Sequence, residues 1–379
     1  MDIKHSNFSL DRSGEHGADE VSGFRIPHAS TVYVWKMPYW KRPIIRRFLK
    51  GCTIYFVRVT KKIKPGALVL LWGSRAIPSG LASNHPIIRV EDGFLRSVGL
   101  GAELTRPLSW VIDTRGIYYD ATRPSDLEYL LQHTSFSSHL IERAAHLHQR
   151  LIQHGITKYN LQGASWKPAA HGSKRIILVP GQVESDASIA FGAMGIRSNF
   201  ALVQEVRTKN PHAWLIYKPH PDVVERLRPQ GIDECHIHRY CDEYLEHVAM
   251  DLVLSYVDEV HVMTSLSGFE ALLRGKEVTC YGMPFYAGWG LTTDMDVVSR
   301  RSRTLTLHEL IAGALLLYPS YISWTKDTRV SAEEALDELV LQKENVPHGR
   351  FRELSRAGYK RLLRLSKFIE LRCKNIYTR

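Results

Sequence analysis

Twice along this chain, apolar runs of strand-like composition alternate with helical patterns, and the two rounds are separated by a stretch without any period, "LQGASWKPAAHGS" at 161–173. The first round holds the runs "TVYVWK" (31–36), "CTIYFVR" (52–58), "ALVLLWG" (67–73), "PIIRVE" (86–91) and "LSWVID" (108–113). The helical patterns "PSDLEYLLQHT", capped by Ser125, and "SSHLIERAAHLHQRLIQHG", stopping at Gly155, follow them. The second round places strands in "RIILVP", "WLIYKP", "EVHVM" and "EVTCYG" and helices in "NFALVQEVRTKN" and "GFEALLRG". Alternation of this kind leaves few options: the strands form mostly parallel sheets, and the helices cover their faces. The Gly-, Ser-, Pro- and Ala-rich break is a linker. The expectation is therefore two α/β domains, 26–165 and 166–345, with a ligand cleft between them.

A chain of 379 residues, 44% of them hydrophobic, has the material for two such cores. Its longest apolar windows, such as "IAGALLLY" at 311–318, fall short of the roughly 20 residues of a membrane span, so no transmembrane helix is implied. The first 23 residues lack the apolar core of a signal peptide; residues 1–25 read as a disordered polar arm, and the protein is expected in the cytoplasm. Five scattered cysteines fit reduced thiols better than a disulfide framework. "CHIHRYC" at 235–241 matches none of the usual zinc spacings.

The net charge of +11 is unevenly placed: residues 346–379 hold ten Lys or Arg against two Glu. There, Leu362, Leu365, Phe368 and Ile369 form one helical stripe and Arg356, Lys360, Arg364 and Lys367 another. A basic amphipathic helix suits an anionic membrane surface, and equally a tail docked on its own domain with a solvated basic face. The basic, aromatic stretch "YWKRPIIRRFLK" (39–50) adds to the membrane reading, which would put the protein peripherally on the inner face of the inner membrane. No nucleic-acid-binding module is recognisable, so no nucleic-acid partner is expected.

Four stretches carry candidate chemistry. In "EVHVMTSLSGFEALLRG" (259–275) a strand runs through a small-residue turn into a helix; backbone N–H groups beside Thr264, Ser265, Ser267 and Gly268 suit a phosphate, with Glu270 one turn in and able to reach a ribose. Simple capping by Ser267 explains the same residues. "IYKPHPDV" (216–223) adds Lys218 and His220 on a backbone stiffened by two prolines, and the two stretches together make a nucleotide phosphate site. "RVEDGFLRSVGLG" (89–101) sets Glu91 and Asp92 among Arg89 and Arg96, either a catalytic acid held by cations or a salt-bridged turn. "VPGQVESDASI" (179–189) places Gln182, Glu184 and Asp186 directly after a buried strand, where ligands collect in open α/β sheets. "DMD" at 294–296 has the form of a metal-binding DxD but no supporting context.

Together "RVEDGFLRSVGLG", "GIYYDATRPSDLEYLL", "GQVESDASI", "YKPHPDV", "DEVHVMTSLSGFEALLRGKEVTCYGMPFYAGWGLT" and "RTLTLHELIAGALLLYPSYISW" resemble, in this order and over roughly residues 86–345, the capsule polysaccharide biosynthesis family of KpsC-type β-Kdo transferases. The resemblance implies a GT-B fold of two Rossmann-like domains, CMP-β-Kdo as donor, a Kdo-containing or lipid-linked glycan acceptor, and transfer that retains the anomeric configuration; phosphate held by a helix start and basic side chains removes the need for a metal, so no cofactor is expected. It also implies an aspartate nucleophile at the position of Asp186, with Glu184 as competitor, and an acid/base at Glu91 or Asp92. Lys218, His220, Ser265 and Ser267 would hold the CMP phosphate and Glu270 the ribose. Arg89, Arg96 or Gln182 would meet the sugar's own carboxylate, and "YGMPFYAGWGLT" would border the nucleotide or sugar. The competing readings are another GT-B nucleotide-sugar enzyme, such as a sialyl-type transferase or an epimerase, and a non-catalytic scaffold of a polysaccharide export assembly.

Overall fold

The computed structural model describes residues 26, 29–101, 105–169 and 174–345. The polar arm and the basic C-terminal helix expected from the sequence lie outside the described residues. In chain order the strands are β1 (Thr31–Trp35), β2 (Thr53–Val57), β3 (Leu68–Trp72), β4 (Ile87–Asp92), β5 (Ser109–Asp113), β6 (Ile176–Pro180), β7 (Trp214–Lys218), β8 (Glu243–Tyr244), β9 (Glu259–Val262), β10 (Glu277–Cys280), β11 (Thr293–Asp294), β12 (Pro319–Ser323) and β13 (Thr328–Val330). They form two sheets, ordered β13-β12-β5-β4-β3-β1-β2 and β11-β10-β9-β6-β7-β8.

The second sheet is parallel throughout. In the first, β2, β1, β3 and β4 run parallel, while β5, β12 and β13 alternate in direction. β5 opposes β4 because the chain doubles back at once: Gly93 N donates to Ser109 O and Leu108 N to Arg96 O. The long helix Ser138–Gln153 starts where Ser137 accepts from Leu140 N, and the chain leaves it through Gly155 at φ +55°, the left-handed conformation glycine adopts without penalty.

One boundary moves. Residues 319–330, assigned from the sequence to the second domain, complete the first sheet: Pro319–Tyr321 pair with Ser109–Val111. The run "IAGALLLY" explains how. It continues the helix Leu307–Ile311 as a buried π-helical turn packed on Ser138–Gln153, which delivers β12 beside β5. Arg300 and Arg301 anchor this return through Nε contacts of 2.7 and 3.0 Å to buried Glu128. Aromatic rings close the junction between the domains, with Phe285 stacked on Phe94 at 4.5 Å and tilted on Phe269 at 5.2 Å between centroids.

Candidate active site

The order of the second sheet reverses between β6 and β9, so the connections after them leave in opposite directions and open a crevice, the usual place for a ligand in an open parallel sheet. Gln182, just after β6, spans it: Nε2 donates to Thr264 Oγ1 (3.0 Å) and Oε1 accepts from Thr264 N (2.9 Å). Its amide, expected beside the donor sugar, is thus committed to pinning two strand ends. The crevice continues into a cavity of about 630 Å³ between the domains, within the usual range for a small-molecule site. Glu91, Asp92, Lys41 and Trp72 line it from the first domain, and Asp186, Lys218, His220 and Ser265 from the second.

The two acids at the end of β4 differ. Glu91 Oε1 accepts from Asp92 N at 3.0 Å. Burial raises the Glu91 carboxyl to about 7, with the Lys41 ammonium pulling it down and the Asp92 charge pushing it up. Burial acts on Asp92 in the same direction, but the Arg96 guanidinium, 2.7 Å away through Nε, and Lys41 outweigh it and hold Asp92 below its ordinary value. Glu91 is the group poised to move a proton near neutrality; Asp92 stays an anion. Lys41, lying over the Trp72 ring, is lowered to about 8 by burial while Asp92 and Glu91 keep it up.

In the second domain the two candidate nucleophiles also separate. Glu184 accepts from Asn199 N (2.8 Å) and Ile232 N (2.9 Å), both oxygens tying loops together, and it does not line the cavity. Asp186 begins the helix Ala187–Gly192 without a side-chain capping bond, and its carboxylate, 45% exposed, has Arg228 Nη2 at 3.8 Å. Burial raises its pKa against Arg228 and Lys158. Lys218 Nζ lies 3.3 Å from Glu246 O, and burial lowers it to about 8. His220 Nδ1 accepts from Asp222 N (3.1 Å), so the ring proton sits on Nε2. Burial, with Lys158, Arg228 and Lys218 around it, lowers this imidazole to about 3, which makes it a neutral donor. Ser265 Oγ accepts from Ser267 N at 3.2 Å, so Ser265, rather than Ser267, caps the helix Leu266–Leu272. Thr264 and Ser267 line the cavity beside it, as does Glu270, whose Oε1 accepts from Lys158 N at 2.7 Å.

Several expected contacts fail. Arg89 lies away from the cavity, with Nη1 donating to Gly73 O (2.6 Å) and Arg75 O (2.8 Å) to hold the turn after β3. Arg96 lines the cavity, but its nitrogens are engaged by Asp92, Ser97 Oγ (2.7 Å) and Thr105 O (3.1 Å). Gly268 stands behind the wall, where any Cβ would overlap the Tyr286 ring, so its role is close packing. Asp294 accepts from Gly288 N (2.8 Å) and Thr292 Oγ1 (2.7 Å) and closes a turn. Among the described residues no cluster of three or more His, Cys, Asp or Glu is placed to hold a metal ion. Pro284 and Phe285 of "YGMPFYAGWGLT" do border the cavity.

Three contributors escaped the sequence reading. Lys158 lies on the turn Thr157–Asn160, which accepts from Ser97 N and Gly99 N of the first domain and donates to Glu270 of the second. Burial disfavours its charge, but Tyr159 and Asp92 reverse this and raise its pKa. Its signal was Asn160, a residue that tolerates the φ of +49° this turn requires. Lys41 and Trp40 sat in a stretch weighed only for net charge.

Residues 69–321 match the family model described as capsule polysaccharide biosynthesis protein. The chain belongs to this family. Among its relatives, the capsule polysaccharide modification protein LipA of Neisseria meningitidis serogroup B is 45% identical over 322 residues, covering 82% of the chain but 46% of LipA. The lipopolysaccharide-processing protein LpsZ of Rhizobium meliloti is 39% identical, covering 81% and 74%. The chain therefore spans less than half the length of LipA. Of solved structures, the β-Kdo 2,7 transferase of Thermosulfurimonas dismutans KpsC superposes with a TM-score of 0.69 at 42% identity, over 83% of this chain and 100% of that one. The β-Kdo 2,4 transferase of the same KpsC gives 0.72 at 33%, over 83% and 99%. With the two facing α/β units described above, this likeness establishes the GT-B fold.

Proposed function

We propose that this chain is a retaining β-Kdo transferase that moves Kdo from CMP-β-Kdo to a Kdo-containing or lipid-linked glycan in surface polysaccharide biosynthesis. The observation that carries the reading is one cavity holding a carboxylate free of protein hydrogen bonds among the described residues, Asp186, together with a carboxyl poised near 7, Glu91, in a chain similar to two Kdo transferases. Asp186 attacks the anomeric carbon; the bond from that carbon to the phosphate oxygen breaks, and CMP leaves with the electron pair. The acceptor hydroxyl then gives its proton to the ionised carboxylate of Glu91 while its oxygen displaces Asp186, and two inversions amount to retention.

Lys218, the Nε2–H of His220 and the hydroxyls of Ser265 and Ser267 hold the phosphate. Glu270 holds the ribose. Lys158, charged and in the same cleft, meets the sugar's own carboxylate in place of Arg89 and Arg96. Phosphate charge met this way needs no metal, and transfer should survive a chelator. The test is incubation with freshly generated CMP-β-Kdo and a Kdo-terminated acceptor, read by product mass, linkage and intact protein mass. Asp186→Ala should lose transfer by about 10³-fold or more and show no Kdo adduct; full activity in that variant overturns the assignment.

A further inference from the structure

Between residues 21 and 90 the sequence has no Asp or Glu and thirteen Lys or Arg, more positive charge than the +11 of the whole chain. On the structure part of this charge gathers at β2, the edge strand of the first sheet. The Arg42 guanidinium lies 4.0 Å from the Tyr39 ring centroid and 4.7 Å from that of Phe56, Arg46 lies 5.0 Å from Phe56, and Arg58 lies 5.8 Å from Tyr39. Arg47 and Lys50 share Asp327, but among the described residues Arg42, Arg46 and Arg58 meet no carboxylate, and the buried Nε of Arg42 has no acceptor. The ring of Tyr39 is 70% exposed and that of Trp40 37%. Trp40 and Lys41 line the cavity, so the ridge leads to the mouth of the cleft.

Charge alone on an edge strand is accounted for by protection against edge pairing. Exposed rings interleaved with unpaired guanidinium groups are not, and they are what an interface between anionic headgroups and acyl chains favours. Among the described residues the ridge has donors and rings but no side-chain carboxylate or amide to accept from sugar hydroxyls, which argues against a free glycan as its occupant. We propose that this ridge is the surface through which the protein docks on an anionic lipid bilayer.

The test measures partitioning of the full chain onto phosphatidylcholine/phosphatidylglycerol vesicles against phosphatidylcholine alone, without donor or acceptor, so that its outcome is independent of catalysis. Replacing Arg42, Arg46 and Arg58 together by Gln should weaken binding to the anionic vesicles about a hundredfold, at roughly fivefold per cation. The corresponding triple Lys variant should stay within about tenfold of wild type, and binding should fall as salt rises. Unchanged vesicle binding by the Gln variant would overturn the proposal, because the charge at 346–379 would then suffice. So would a Lys variant that folds normally yet binds as weakly as the Gln variant, or a loss confined to a soluble anionic polysaccharide such as chondroitin sulfate.

Discussion

Replacing Glu91 by Gln should make the protein more stable at pH 8 while disabling it. Burial raises the Glu91 carboxyl from 4.5 to about 7. A carboxyl raised on folding is ionised in the unfolded chain from its ordinary value upward but in the folded chain only above the raised one. Its favourable contribution is therefore complete below about pH 4.5 and is lost as pH rises through 7. The shift corresponds to roughly 3–4 kcal/mol at about 1.4 kcal/mol per pH unit. Gln removes this penalty, although Lys41 loses one of the two carboxylates that keep it charged, so a net gain of about 2–3 kcal/mol at pH 8 is expected. Urea denaturation of wild type and variant at pH 4 and pH 8 measures it: the two should coincide at pH 4 and separate at pH 8. In the transfer assay the same variant should lose about 10²–10⁴-fold in rate. A stability difference that does not change with pH, or a variant less stable at pH 8, refutes a Glu91 carboxyl raised by burial.

Asp186 and Glu184 should respond oppositely to alanine. Glu184→Ala strands two backbone N–H groups and should cost about 2–4 kcal/mol in urea denaturation, whereas Asp186→Ala should fall within about 0.5 kcal/mol of wild type. CMP binding, followed by calorimetry, should weaken between pH 7 and pH 9 as Lys218, lowered to about 8, loses its charge. Lys218→Met should flatten that profile and bind roughly ten- to a hundredfold more weakly at pH 7. Because His220 is lowered to about 3, binding should show no histidine inflection near pH 6.5; an inflection there that disappears in His220→Ala would contradict a neutral donor.

The two rounds of strand and helix were legible because central strands such as β3, β6, β7 and β9 are almost wholly buried and read as continuous apolar runs. The polar loops after β6, β7 and β9 were legible as candidate sites, and the strand order of the structure places Asp186, Lys218, His220 and Ser265 around its switch point. What stayed hidden was long-range. "PSYISW" begins 206 residues after β5 ends at Asp113, its partner in the antiparallel pair, and nothing local announces that pairing. Glu184 and Asp186 are two positions apart with similar chemistry, and only Asn199 N and Ile232 N, brought in from other loops, commit one of them. Arg89 failed for the same reason: its partners Gly73 O and Arg75 O come from a different strand end.

The return of β12 and β13 inverts the order in which the two domains can be finished. The second sheet is built from the uninterrupted stretch 176–294, whereas the first needs 31–113 and then 319–330. On a ribosome, the domain that begins first is completed last. Until residue 330 has emerged, β5, with every residue of Ser109–Asp113 destined for burial, presents a bare apolar edge to whatever is nearby. A chain cut at 318 would keep its second sheet whole and lose solubility through the first.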